Sequence, residues 1–219
     1  MDDAALLSHS EFFADLDDRE LAGVLAVAHG VQLSRNEVLF NEGDPAGALY
    51  GVRSGRVAIS LRSLDGRESL LALMEPGDLF GDMPLFDGQP RSAQARALEA
   101  SDLLYVPYPA LRRVLENRPA LLWNVVATLS RRLRSTDAAL ADSMFLDVPG
   151  RTAKRLLELA GNADSFALPI TQEELAALVG ASRERVNKAI AAFVHLGWLA
   201  QSDKQYRIAD RAELARRAR

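Results

Sequence analysis

Arg91 and Ser92 follow closely on the run Gly77-Asp78-Leu79-Phe80-Gly81-Asp82-Met83-Pro84-Leu85-Phe86, and together these residues suit the capture of an anion. The glycines let a backbone approach a ligand, and a proline two positions after Asp82 fits the first turn of a short helix whose free N–H groups attract negative charge. Arg91 adds a forked donor with a full positive charge, and Ser92 adds a hydroxyl. A phosphate fits that set. Taken alone, Gly-x-x-x-Gly is a weak signal, better met by a tight β turn carrying a solvent-facing arginine.

A second constellation lies near the C-terminus. Thr171-Gln172-Glu173-Glu174 is a capping box that opens a short helix through Leu178, Val179-Gly180-Ala181 supplies a tight turn, and Ser182 caps a further helix. On that helix Val186, Ile190 and Phe193 turn one face inward, leaving Arg183, Glu184, Arg185, Asn187 and Lys188 outward. This is a helix-turn-helix, whose second helix places its first residues on base edges in the major groove. Arg and Lys there suit guanine, and Glu suits the cytosine amino group. Leu196 to Leu199 and Gln205 to Ile208 flank a turn as a two-stranded wing, with Lys204 and Arg207 placed for phosphates. Thr171 and Gln172, at the start of the first helix, join the expected DNA-contacting set. The basic tail Arg216-Arg217-Ala218-Arg219 either contacts phosphates as well or frays.

The elements that must position these residues fall into segments of different period. From Val31 to about Val106, short apolar runs such as Val57-Ala58-Ile59 alternate with turns at Asn41–Asp44, Arg53–Arg56, Leu64–Arg67 and Pro76–Asp78, the pattern of a small antiparallel sandwich or barrel. A leader from Ser10, with Leu16, Leu21 and Leu25, reads as helical and packed on the outside of it. Pro109 to Asn117 makes a short helix, and Pro119 starts a longer one running to about Leu146, ~42 Å at 1.5 Å per residue. On the long helix Leu122, Val126, Leu129, Leu133, Thr136, Leu140 and Ser143 fall at alternating steps of four and three, a coiled-coil seam. Its simplest partner is the same helix in a second chain. Thr136, polar within that seam and flanked by Ser135 and Asp137, is either a register device or a group that meets something bound there. Thr128, Arg131 and Arg132 lie on the same helix, and the arginines read as solvated flanks of the coiled coil.

Composition limits the chemistry. The chain has 219 residues and no cysteine, which excludes disulfides, thiolate zinc sites, cysteine-held iron-sulfur clusters and a cysteine nucleophile. His9, His29 and His195 are scattered, so no metal, haem or iron-sulfur cofactor is expected. Asp82 with Arg91 and Ser92 forms no nucleophile–base pair, so the chain reads as no enzyme. The start Met1-Asp2-Asp3 is acidic and no apolar run approaches the ~18 residues of a membrane span, giving a cytoplasmic expectation with no membrane partner. The net charge of −4 hides an asymmetry: residues 150–219 carry 12 Lys and Arg against 8 Asp and Glu, while the first 149 residues are net acidic. A C-terminal module that meets a polyanion follows.

Asn41-Glu42-Gly43-Asp44, then Leu49 to Val57, then Gly77 to Phe86 with Arg91-Ser92 resemble the cyclic-nucleotide-binding domain of the cyclic-AMP receptor protein and FNR superfamily of bacterial transcription regulators. The resemblance extends over the long helix and the C-terminal module. It implies an α+β fold with an N-terminal antiparallel β-roll (a cyclic-nucleotide-binding jelly roll), a long dimerisation helix and a C-terminal winged helix-turn-helix. The expected boundaries are 1–118 for the β-roll with flanking helices, 119–146 for the dimer helix, 147–150 for a hinge and 151–219 for the DNA-binding domain. The resemblance makes Arg91 and Ser92 ligands of the cyclic phosphate of cyclic AMP, Gly81 and Asp82 the contacts to ribose, and Thr136 with Asp137 the readers of adenine. Asp82 stands where the family has Glu, and Asp137 where Ser or Asn follows the Thr. Ser182-Arg183-Glu184 with Val186 looks like the family's recognition helix, with Lys188 where an arginine often sits, implying double-stranded DNA with GTG-type half-sites in a two-fold pseudo-palindrome. The resemblance leaves RNA polymerase open as a further partner. The rival reading is a DNA-binding regulator of the same superfamily that is effector-independent or answers a different ligand through an altered pocket.

Overall fold

The computed structural model describes residues 2–10, 12–63, 68–202 and 205–219. They divide into two compact units, Met1–Leu133 and Arg134–Arg219, and one long helix contributes to both.

The first unit begins with two helices, α1 (Asp3–His9) and α2 (Asp18–Leu25). Asp17 caps α2 through a complete capping box with Glu20. Eight strands follow: β1 (His29–Leu33), β2 (Val38–Phe40), β3 (Ala48–Ser54), β4 (Val57–Arg62), β5 (Glu68–Met74), β6 (Leu79–Phe80), β7 (Gln94–Ala97) and β8 (Ser101–Pro107), with the short helix α3 (Met83–Asp87) between β6 and β7. They form two four-stranded antiparallel sheets in the orders β1-β8-β3-β6 and β2-β7-β4-β5. Leu33, Tyr50, Val52 and Leu103 from the first sheet meet Val57, Ala95 and Ala97 from the second, so the core between the sheets is apolar on both inner faces. Three of the expected turns close on Gly43, Gly55 and Gly77, all at positive φ. The fourth, Leu64–Arg67, lies outside the described residues.

The leader packs on the outside of the β unit, and its apolar side chains are buried there. Leu6, Leu7, Phe12 and Phe13 are buried with Leu49, Leu104 and Val106 of the first sheet and with Leu111 and Leu115 of α4 (Tyr108–Asn117). That second core covers the outer face of the sheet, which would otherwise expose its alternate apolar side chains.

Pro119–Leu121 forms a 3₁₀ turn, so the long helix α5 runs from Leu122 to Phe145, somewhat shorter than expected. A 3₁₀ turn commonly opens a helix behind a proline.

The second unit holds α6 (Val148–Ala160), β9 (Ser165–Ala167), α7 (Gln172–Val179), α8 (Arg183–His195), β10 (Leu199–Ser202), β11 (Gln205–Ile208) and α9 (Arg211–Arg217). Residues 147–150, expected as a hinge, form the N-cap and first turn of α6, where the Asp147 side chain accepts from the Gly150 N–H. The wing has a third strand that the pattern did not announce, because β9 pairs with β11 to give the antiparallel order β10-β11-β9. The tail is neither frayed nor free. Asp210 caps α9, Leu214 is fully buried, and Arg211 donates to the Gly161 and Ala163 carbonyls.

Candidate functional site

In the first unit a cavity of about 260 Å³, just under the usual ~300–1,000 Å³ of small-molecule pockets, opens between the sheets and α3. Gly81, Asp82, Arg91 and Ser92 line it together with Phe40, Leu71, Phe80 and Arg132. The fold thus brings together Gly81, Asp82, Arg91 and Ser92, which the sequence pattern singles out.

Gly81 lies in the positive-φ region (+77°), and a Cβ there would come within 2.6 Å of the Arg91 Nη1. Glycine is therefore needed twice at this position, for the backbone and for the space. Arg91 is only 5% exposed, which sets aside the reading of a solvent-facing arginine. Its Nη1 donates to the Gly81 carbonyl (2.9 Å) and the Tyr108 hydroxyl (3.1 Å), and its Nη2 donates to the Ala48 carbonyl (2.7 Å). The guanidinium lies 4.2 Å from the Phe40 ring centroid, where the π face attracts a cation. Its Nε–H is buried without an acceptor. An unpaired buried donor on a cation in the wall of a cavity fits an anionic ligand. Tyr108 donates to the same Gly81 carbonyl, and burial raises its phenol above the ordinary range, so the hydroxyl keeps its proton beside Arg91. Ser92 is exposed, and its hydroxyl has a weak contact with the Met83 sulfur at 3.7 Å.

Asp82 is 2% exposed and precedes α3 without capping it through its side chain. Both of its carboxylate oxygens accept from Nη1 of Arg132, at 2.9 Å each. Arg132 was expected as a solvated flank of α5. It instead reaches the cavity, donates to the Leu79 carbonyl at 3.4 Å, and stacks over Phe12 of the leader at 5.6 Å. Burying a carboxylate costs least beside a cation that donates to it, and Arg132 is drawn to Asp82 for that reason. Arg131 meanwhile donates to the Thr128 hydroxyl.

Thr136 and Asp137 are exposed on α5, within the second unit. The apolar positions of the expected seam are also exposed on α5: Leu122, Val126, Leu129, Leu133 and Leu140.

The second unit carries the helix-turn-helix as expected. Thr171 and Glu174 form the reciprocal cap, Gly180 ends α7 in the left-handed region, and the Ser182 hydroxyl accepts from the Arg185 N–H. Val186, Ile190 and Phe193 are buried, whereas Ser182, Arg183, Glu184, Arg185, Asn187 and Lys188 are exposed on α8. Gln172 is held by the wing, its amide donating to the Tyr206 hydroxyl. Arg207 is exposed on β11, and Lys204 lies outside the described residues. Among the described residues no group of His, Asp or Glu able to hold a metal ion occurs, and no helix is long and apolar enough to cross a membrane.

Comparison with known proteins agrees with both halves of this geometry. Residues 30–118 match the model of the cyclic nucleotide-binding domain, and residues 150–217 match that of the Crp-like helix-turn-helix domain. The chain is 41% identical to the CRP-like cAMP-activated global transcriptional regulator of Mycobacterium tuberculosis over 98% of its own length and 99% of that protein's. It is 33% identical to the cAMP-activated global transcriptional regulator CRP of Escherichia coli over 79% and 86% of the two chains. Among solved structures it is similar to the c-di-GMP responsive global regulator CLP of Xanthomonas campestris, with a TM-score of 0.75 and 28% identity over 88% of this chain and 99% of that one.

Proposed function

Because this chain belongs to the cyclic-AMP receptor protein and FNR family of DNA-binding transcription regulators, with a cyclic nucleotide-binding domain and a Crp-like helix-turn-helix, we propose that it is a homodimer switched by cyclic AMP. The observation that carries the ligand reading is the convergence of Gly81, Asp82, Arg91 and Ser92 on one cavity. Arg91 and Ser92 hold the cyclic phosphate, through the unpaired Nε–H and the exposed hydroxyl, and the Asp82 carboxylate accepts from a ribose hydroxyl as well as from Arg132. Thr136 and Asp137 read adenine, the carboxylate accepting from the exocyclic amino group.

The exposed stripe Leu122, Val126, Leu129, Leu133 and Leu140 supports pairing with α5 of a second copy. Such a dimer presents two α8 helices to half-sites one turn apart, ~34 Å, with Arg183, Glu184, Arg185, Asn187 and Lys188 on base edges and backbone of GTG-type half-sites. The DNA-bound geometry must bind cyclic AMP more tightly than the other arrangement for the ligand to shift anything. RNA polymerase is then the partner that reads the bound dimer, and the cytoplasm is where DNA, polymerase and nucleotide meet.

One observation favours a second reading. Arg91 already spends three N–H groups on protein acceptors, as an arginine with a purely structural task would, which suits a regulator that needs no effector. Calorimetric titration of the intact protein with cyclic AMP separates the two. The proposal expects saturable binding of one nucleotide per chain, lost in Arg91→Ala while DNA of random sequence is still bound. Absence of heat with cyclic AMP, or undiminished binding by Arg91→Ala, overturns the ligand reading. Heat with cyclic di-GMP alone would replace the ligand.

A further inference from the structure

Arg151 of α6 directs all three of its guanidinium nitrogens to the carbonyl ends of two other helices. Nη1 donates to the Leu146 carbonyl at 2.7 Å, Nε to the Val179 carbonyl at 2.9 Å, and Nη2 to the Gly180 carbonyl at 3.4 Å. Leu146 is the residue after α5, still bonded through its amide to Asp142. Val179 and Gly180 are the end of α7 and the turn before α8, where Gly180 adopts φ +68° and the Ala181 amide returns to the Ala176 carbonyl. All these groups belong to the second unit.

The last carbonyls of a helix have no partner in the helix and carry its partial negative charge. A cation placed between two such ends satisfies both, and a planar fork reaches several oxygens at once where a lysine ammonium would act as a point charge. Another cation already ties α6 to α5, since Lys154 pairs with Asp142. What Arg151 adds is the third member, the turn. Two residues beyond Gly180, Ser182 caps α8, so the start of the reading helix is fixed from the same guanidinium that holds the end of α5.

We propose that Arg151 is a positioning residue for DNA reading, a strut that sets the recognition helix relative to the end of the long helix and thereby the distance between the two half-sites a dimer accepts. The proposal rests on the homodimeric DNA-binding reading. It predicts a particular defect: base reading by α8 survives loss of the strut, while discrimination of half-site spacing does not.

The test uses the intact protein, with a symmetric site first selected by the wild-type chain from a random duplex pool. Affinity is measured for that site, for the site with one base pair inserted between the half-sites, and for the site with one base changed in each half. The wild type should lose about tenfold to a hundredfold on insertion, since both half-sites can no longer be met together. Arg151→Ala should lose less than about fivefold on insertion while keeping the wild-type penalty for the base change. General destabilisation would lower affinity for every duplex alike and leave the spacing penalty in place. Arg151→Lys, which keeps the charge and loses the fork, should also relax spacing, and it carries the test should the alanine variant fail to fold. A wild-type spacing penalty in either folded variant overturns the proposal alone. A wild-type protein indifferent to spacing overturns it together with the dimer reading.

Discussion

Asp82 and Arg132 stand fifty positions apart, and no periodicity in the sequence links them. Glycine spacing and the Arg-Ser pair were a weak signal in the sequence, and the fold gathers Gly81, Asp82, Arg91 and Ser92 on one cavity. The partner of Asp82 was not legible: an arginine on a long amphipathic helix looks the same whether it faces water or a carboxylate. The signal available was the acid itself, which needs a cation once it is buried. Removing Arg132 should expose that need. Arg132→Leu is expected to lower stability in urea by about 1–3 kcal/mol at neutral pH, less than for a fully buried pair because the arginine is itself partly exposed. Asp82→Asn in the same chain should recover much of the loss, and equal losses in the single and double variants would show that the pair is not coupled.

At the scale of elements, strands, turns and caps were legible because each has local chemistry: Thr171 with Glu174, Gly180 and Ser182 mark the helix-turn-helix within a dozen residues. What escaped notice was long-range. The third wing strand depends on β9 finding β11, and the leader's Phe12 and Phe13 become core only because a sheet face needs covering. The tail is the clearest case, since Arg217 returns seventy positions to donate to both oxygens of Asp147, the cap of α6. The Gly150 amide first, and Arg217 second, hold the Asp147 carboxyl below its ordinary value near 3.8. A carboxyl whose folded pKa is lowered contributes stability above its unfolded pKa and loses it as the pH falls through the folded one. Protection of the Gly150 and Arg151 amides against exchange, taken relative to the intrinsic rate at each pH, should therefore fall on acidification below about pH 3.9. In Asp147→Asn that pH dependence should vanish, and in Arg217→Ala its amplitude should shrink while its onset stays, because only the folded pKa rises. An amplitude unchanged in Arg217→Ala would sever the tail from the cap.

For the whole molecule, the charge asymmetry and the change of period along the chain pointed to two modules, and two compact units are present. The seam on α5 was legible for the same reason as a zipper, steps of four and three, and its leucines lie open to solvent, with Leu133 62% exposed. Each such side chain gains about 1.5–3 kcal/mol when fully buried, so a row of them on one helix strongly favours a second surface. The proposed switching and the proposed selection of half-site spacing both depend on that second surface being another copy of α5. Sedimentation velocity at micromolar concentration tests this most directly. The account predicts a species of twice the chain's 23.9 kDa, reduced to the single chain by Leu133→Asp with the fold intact. A wild-type protein that sediments as one chain would contradict it.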